Sequence, residues 1–480
     1  MKNFMVGLPL LALALPLVLL NCGGDDGAAG AAGANGPAGA AGTAGPAGPA
    51  GPSGGGVDGG PNASGVVVVS DRARIGLNLA PVKLDLSGKT SAQIEAIGYG
   101  SYLVNAIADC TSCHDQIIAG NPPTIVHLAG GLAFSLGPGI SVYARNLTPS
   151  PTGLALTEAQ FIEAFETGKD FKAPTEAMLV MPWWEFRWMS TADKKAVYAY
   201  LKSVPAATNT PAADVKGALA GPPMPAPTSY NEGDVDRALP SAGVPDPDNI
   251  ERGLAIQPLA QPAAFSNLSV GDQALFGRGS YLVNSAGKCN SCHTNPSRVF
   301  VPGPNFGKIP TASYLTGGFE FTLPFGLNAQ LGQTRTLTSN LTGAVNGFFV
   351  TPTGSTYSGF LKEIQEGKDY EKAGTPTLGW PMPWDKFRNM LPTDLQAIYV
   401  YMANITKRTA AGDKKIQDYA RFCTGNSQCT GANETCNMTT SECVGKTCAV
   451  DTDCDACQTC NGSKVCVAPA NDSACLATGQ

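Results

Sequence analysis

The stretch Asp109-Cys110-Thr111-Ser112-Cys113-His114 is matched later in the chain by Lys288-Cys289-Asn290-Ser291-Cys292-His293. Each contains Cys-x-x-Cys-His, the attachment pattern of c-type haem. The reason is geometric. Two cysteines at this spacing reach two vinyl groups on one porphyrin edge, and the histidine that follows can turn its ring under the iron. Covalent links hold the cofactor, so no large pocket is required. A zinc knuckle would need two further thiol or imidazole ligands at each site, and of the three histidines only His127 lies outside the motifs. A thioredoxin-like redox pair does not call for a following histidine. Cys110, Cys113, Cys289 and Cys292 are therefore read as attachment points for two haems c. His114 and His293 are read as their proximal iron ligands.

Outward from the motifs, a series of landmarks occurs twice in the same order. Gly100-Ser-Tyr102-Leu-Val-Asn105 answers Gly279-Ser-Tyr281-Leu-Val-Asn284. Leu128-Ala-Gly130-Gly131-Leu-Ala-Phe134 answers Leu315-Thr-Gly317-Gly318-Phe-Glu-Phe321. Asn146-Leu-Thr148 answers Asn340-Leu-Thr342, and Gly168-Lys-Asp170 answers Gly367-Lys-Asp369. Met181-Pro-Trp183 answers Met382-Pro-Trp384, and Asp193 to Tyr200 answers Asp394 to Tyr401. Apolar periodicity predicts a helix over about 91–109, capped near Ser91, and short helices at Thr157–Thr167 and Tyr357–Glu366. Terminal helices are expected at about 191–203 and 393–405. The class is mainly α, with a first and a last helix crossing over each haem.

The sixth iron ligand should recur if both sites are alike. His127 does not, because Tyr314 stands at its position in the second copy, so it reads as an aromatic filler. Met178 has no partner. Met181 pairs with Met382, and Met189 with Met390. The first pair lies in a Met-Pro-Trp stretch without helical period, where Pro stiffens the loop and Trp would close the haem edge. Met181 and Met382 are therefore the predicted axial ligands, since a thioether favours reduced iron. Met189 and Met390 sit where the next helix begins, with Pro392 a good first residue and Ser190 with Asp193 a box-like cap, and are read as core packing.

A length of 480 residues allows about three domains at ~150 residues each. A net charge of -6 with 15% charged residues excludes a basic nucleic-acid binder. Residues 1–22 read as an export signal, with Lys2, an apolar run from Leu8 to Leu20, and Cys22 as a lipidation site. Residues 23–64 form a tether with glycine at every third position from Gly27 to Gly54, the collagen period. The first haem domain is placed at 65–205, a Pro/Ala-rich linker lying on the surface at 206–252, and the second haem domain at 253–412. Residues 413–480 hold ten cysteines, from Cys423 to Cys475, and few apolar side chains, so cross-links replace a core. Five disulfides are expected there, in an exported, periplasmic or cell-surface protein anchored to the outer membrane by lipid.

These residues resemble class I cytochrome c, and more narrowly the cytochrome c subunits that accompany membrane alcohol and related dehydrogenases. The resemblance rests on Gly-Ser-Tyr-Leu-Val-Asn, Cys-x-x-Cys-His, Leu-x-Gly-Gly-x-x-Phe, Asn-Leu-Thr, Met-Pro-Trp and the final Tyr-x-Tyr, and covers about 76–205 and 253–407. It implies two tandem class I cytochrome c-like helical haem domains, followed by the small disulfide-rich module. It also implies one-electron transfer between redox partner proteins, such as a dehydrogenase and another cytochrome. Such subunits typically bear three haem modules, whereas this chain has two motifs. Two other classes compete with an electron carrier: a di-haem peroxidase, and a surface-binding protein whose tail is the functional part.

Overall fold

The computed structural model describes residues 68–408, apart from 120–122, 242–243, 296–306, 323–334, 343–347, 351–353, 371–377 and 379–380, and four short backbone strands within 434–467. The export signal, Cys22, the glycine-repeat tether and the tail's cysteine side chains lie outside the described residues. In those tail strands the backbone register sets Cys436 opposite Cys443 and Cys460 opposite Cys466.

The described residues are mainly helical, with small two-stranded antiparallel sheets. Helices α1 (Asp71–Leu79), α2 (Ser91–Tyr102), α3 (Thr111–His114), α4 (Glu158–Thr167), α5 (Trp183–Phe186) and α6 (Thr191–Leu201) carry the first copy of the landmarks. Helices α7 (Ile250–Ala255), α8 (Val270–Asn284), α9 (Cys289–His293), α10 (Tyr357–Glu366), α11 (Trp384–Phe387) and α12 (Pro392–Asn404) carry the second. None of them is long and apolar enough to cross a membrane.

The N-terminal caps follow side-chain chemistry. Thr90 rather than Ser91 caps α2, in a capping box with Gln93, and Thr157 does the same for α4 with Gln160. The helix expected to run to 109 changes character after Tyr102. Leu103–Ile107 is a wider π-turn, followed by Asp109 at φ 52°. Apolar spacing does not separate π from α, so the sequence carried no sign of this turn. Helices α1 and α7 were not anticipated.

Two glycines explain how α2 meets α6 and α8 meets α12. A Cβ on Gly100 would lie 1.9 Å from the Ala196 carbonyl oxygen, and one on Gly279 would lie 1.9 Å from that of Ala397. Only glycine admits backbones this close. The next residue ties in the preceding helix: Ser101 Oγ donates to the Gly76 carbonyl at 2.6 Å, and Ser280 Oγ to that of Gly253 at 2.7 Å.

The third residue of the motif crosses between the copies. The Tyr102 hydroxyl donates to Asp394 Oδ2 at 2.9 Å and accepts from the Leu391 backbone N–H at 2.8 Å. Reciprocally, the Tyr281 hydroxyl donates to Asp193 Oδ2 at 2.7 Å and accepts from the Ser190 N–H at 3.0 Å. Asp193 therefore does not close a box on Ser190, although Ser190 itself caps α6. Asp394 is fully buried, with Arg278 at 2.9 Å and Arg72 at 2.8 Å. Burial opposes its ionisation, but the two guanidinium charges outweigh it and hold the carboxyl well below its ordinary range. Buried apolar side chains of both copies, including Leu103, Trp188, Leu282 and Leu395, form one continuous core.

The segment 206–252 does more than cross the surface. Lys216 is buried and pairs with Asp170 at 2.8 Å. Glu232 is also buried and accepts from Trp188 Nε1 at 2.8 Å. Asn209 Nδ2 donates to the carbonyls of Ala129 and Gly130. Its Pro and Ala content hid these few anchoring side chains.

Candidate haem-attachment sites

Helix α3 follows the π-turn and places Cys110, Cys113 and His114 on the wall of one cavity of about 360 Å³. Met178, Met181, Pro182 and Phe186 line the same cavity, as does Lys288 from the second copy. Met181, the predicted ligand, thus shares a space with the first motif. Met178 lines it too. Its backbone N–H donates to the Gly168 carbonyl just as that of Leu378 donates to Gly367, so leucine is the counterpart of Met178.

The histidines are held alike. His114 Nδ1 lies 2.7 Å from the Arg145 carbonyl, and His293 Nδ1 lies 2.8 Å from that of Ser339. A carbonyl only accepts, so Nδ1 carries the proton and Nε2 keeps its lone pair. Burial lowers the pKa of His114 and takes that of His293 down to about 4, so both rings are neutral, the form that binds a metal. A cavity-facing imidazole held by its other nitrogen, with two thiols beside it, fits a covalently attached haem c.

The repeated loops build this support, and the sequence showed them only as recurring letters. Asn146 and Asn340 each turn the chain by accepting from Thr148 N–H at 2.9 Å and Thr342 N–H at 2.8 Å. That turn fixes the Arg145 and Ser339 carbonyls immediately before it. Gly130 and Gly317 N–H donate to the carbonyls of His114 and His293, at 2.6 and 2.7 Å. Arg145 and Ser339 differ in side chain and act through the backbone, which is why residue identity did not reveal them.

Trp183 departs from expectation. It does not close the cavity but lies against Gly168, where a Cβ would sit 2.2 Å from the indole, and Nε1 donates to the Met178 carbonyl at 3.0 Å. Trp384 repeats the contact on Gly367. Both glycines are left-handed helix ends, at φ 73° and 66°. The tryptophan therefore braces the Met-Pro loop from behind. Met382 is partly buried, and Met189 and Met390 are buried in the core.

His127 points its ring nitrogens at Tyr200 and Asp115: Nε2 is 2.8 Å from the Tyr200 hydroxyl and Nδ1 is 3.1 Å from Asp115 Oδ1. Tyr314 meets the equivalent Tyr401 hydroxyl at 2.9 Å. The position is thus a polar anchor for the last helix in both copies, more than an aromatic filler.

No disulfide joins the four motif cysteines. Burial pushes Cys110 and Cys289 up to about 12 and Cys292 to about 11, the reverse of the depressed thiol of a redox pair. Among the described residues no cluster of His, Cys, Asp and Glu could hold a metal ion by itself.

The chain is similar to cytochrome c subunits of dehydrogenases. It is 30% identical over 235 residues to the fructose dehydrogenase cytochrome subunit of Gluconobacter japonicus, covering 47% of this chain and 39% of that protein. It is 27% identical over 248 residues to the cytochrome c subunit of the quinone alcohol dehydrogenase of Gluconobacter oxydans strain 621H, covering 50% and 44%. The chain spans less than half the length of these curated relatives. No family model matches it.

Proposed function

We propose that the chain is an electron-transfer cytochrome c carrying two covalent haems c. One is attached at Cys110 and Cys113 with His114 as ligand, the other at Cys289 and Cys292 with His293. Met181 and Met382 supply the opposite ligands. Haem supplies a reversible one-electron couple. The protein holds its ligands, excludes water and sets the potential. The observation that carries this reading is the His114 ring, held through Nδ1 by the Arg145 carbonyl, facing a cavity shared with Cys110, Cys113 and Met181. The similarity to dehydrogenase cytochrome subunits supports a dehydrogenase as electron donor. The sequence further supports export, lipid attachment at Cys22 and a disulfide-linked tail.

Mass spectrometry of the purified holoprotein should show two covalent haems. A redox titration followed in the visible range should reduce both reversibly, with low peroxide turnover. One haem, pigment extractable by acid acetone, or rapid peroxide turnover with a high-spin haem at rest would overturn the assignment.

A further inference from the structure

The two attachment motifs meet across the interface between the copies. Lys288, the residue before Cys289, donates from Nζ to the carbonyl of Ala108 at 2.7 Å, two residues before Cys110. The same side chain lines the cavity of the first site, where Nζ stands 5.9 Å from the centre of the Phe186 ring. Phe186 is itself buried and lines that cavity. In return Ser291, between the two attachment cysteines of the second site, donates from Oγ to Glu185 Oε1 at 2.8 Å.

The loops that carry the candidate ligand methionines cross in the same way. Met181 leads into α5, and Glu185 of that helix holds Ser291 of the second motif. Met382 leads into α11, which packs against the π-turn ahead of Cys110. Each attachment motif thus lies against the stretch that follows the other copy's methionine. Lys288 is held in left-handed backbone at φ 46°, as is Asp109 at φ 52°. Residues other than glycine keep that conformation only where the surrounding structure enforces it. Electronic coupling between redox centres weakens steeply with separation, and covalent and hydrogen-bonded paths carry it better than gaps. From Cys289 to Cys110 the path runs through one lysine side chain and one hydrogen bond, and every other link is covalent.

We propose that the two haem sites exchange electrons directly within the chain, with Lys288 as the positioning residue that bridges them. This rests on the electron-transfer reading above. In each exchange one centre is oxidised as the other is reduced by the same electron, with no bond made or broken and no proton moved. The protein is then a relay, in which an electron taken up at one site leaves from the other.

The test is flash photoreduction of the holoprotein, with a ruthenium photoreductant delivering less than one electron per molecule. Met382→Ala gives the second site its own spectrum and a lower potential, because the thioether that favours reduced iron is gone. Electrons should then move from the altered site to the intact one in a first-order phase whose rate is unchanged on dilution. Met181→Ala repeats the measurement with the roles of the sites exchanged. In either background Lys288→Met should slow the phase several-fold, whereas Lys288→Arg, which keeps a donor for Ala108, should preserve it. Potentials measured on the same samples separate a change of coupling from a change of driving force. The inference is overturned if redistribution is absent, if its rate scales with protein concentration, or if Lys288→Met leaves that rate unchanged. Mass spectrometry on the same samples counts haems. Two haems without direct exchange overturn this inference alone, whereas fewer than two overturn both it and the reading beneath it.

Discussion

Met181 and Met189 belong to one short stretch and meet different surroundings. Met181 lines the cavity with His114, whereas Met189 is 1% exposed in the core. Met181→Ala and Met382→Ala should each keep two covalent haems, because attachment depends on the cysteines. Each should lose about half of the Met-to-iron charge-transfer absorption and admit imidazole at one site, with a fall in that potential. Met189→Ala should leave the spectrum intact and cost roughly 2–5 kcal/mol in denaturant unfolding. Spectral loss in the Met189 variant alone would reverse the ligand assignment. The candidate ligands were readable in the sequence because their chemistry resides in the side chain. The Arg145 and Ser339 carbonyls were not, since any residue supplies a carbonyl and only the Asn-Leu-Thr turn aims it.

The helices that shield each site depend on single positions. A methyl group at Gly100 or Gly279 would meet a backbone carbonyl of the last helix, which has no rotamer to yield. Gly279→Ala should therefore cost about 1–3 kcal/mol or more by thermal or denaturant unfolding. Thr157→Ala removes a capping box at the surface and should cost only about 1 kcal/mol. Equal losses in the two variants would mean that the crossing is not as tight as the structure has it. The α4 and α10 helices begin and end close to where sequence placed them, since caps and terminal glycines are local signals. Helices α1 and α7 escaped because what defines them is a glycine contact with another helix, Gly76 on Gly98 and Gly253 on Gly277.

The two copies are joined through buried charge. Removing one partner of such a group leaves the rest uncompensated, so Asp394→Asn should destabilise by roughly 3–5 kcal/mol. Tyr281→Phe should destabilise by about 1–3 kcal/mol, by leaving Asp193 and the Ser190 N–H short of a partner. The pH dependence has a definite sign. The folded-state value of Asp394 lies below the ordinary 3.8, so its contribution is complete above about pH 4 and declines as pH falls toward the folded value. Chemical denaturation between about pH 2.5 and 6 should show the wild type losing more stability on acidification than Asp394→Asn. A parallel decline in both would place the acid sensitivity elsewhere.

Sequence alone determined what is local: the two Cys-x-x-Cys-His patterns, the order of the landmarks, and the methionines available as candidate ligands. Each is written in residue type and spacing within a few positions. Only the tertiary structure decided what the repeated Gly-Ser-Tyr does. Its glycine admits the last helix, its serine holds the preceding one, and its tyrosine reaches the other copy's aspartate. Both partners of that tyrosine recur in each copy, so the sequence is compatible with a bond inside one copy or between two. The geometry of the interface selects the second, and in doing so carries Lys288 and Glu185 to each other's sites.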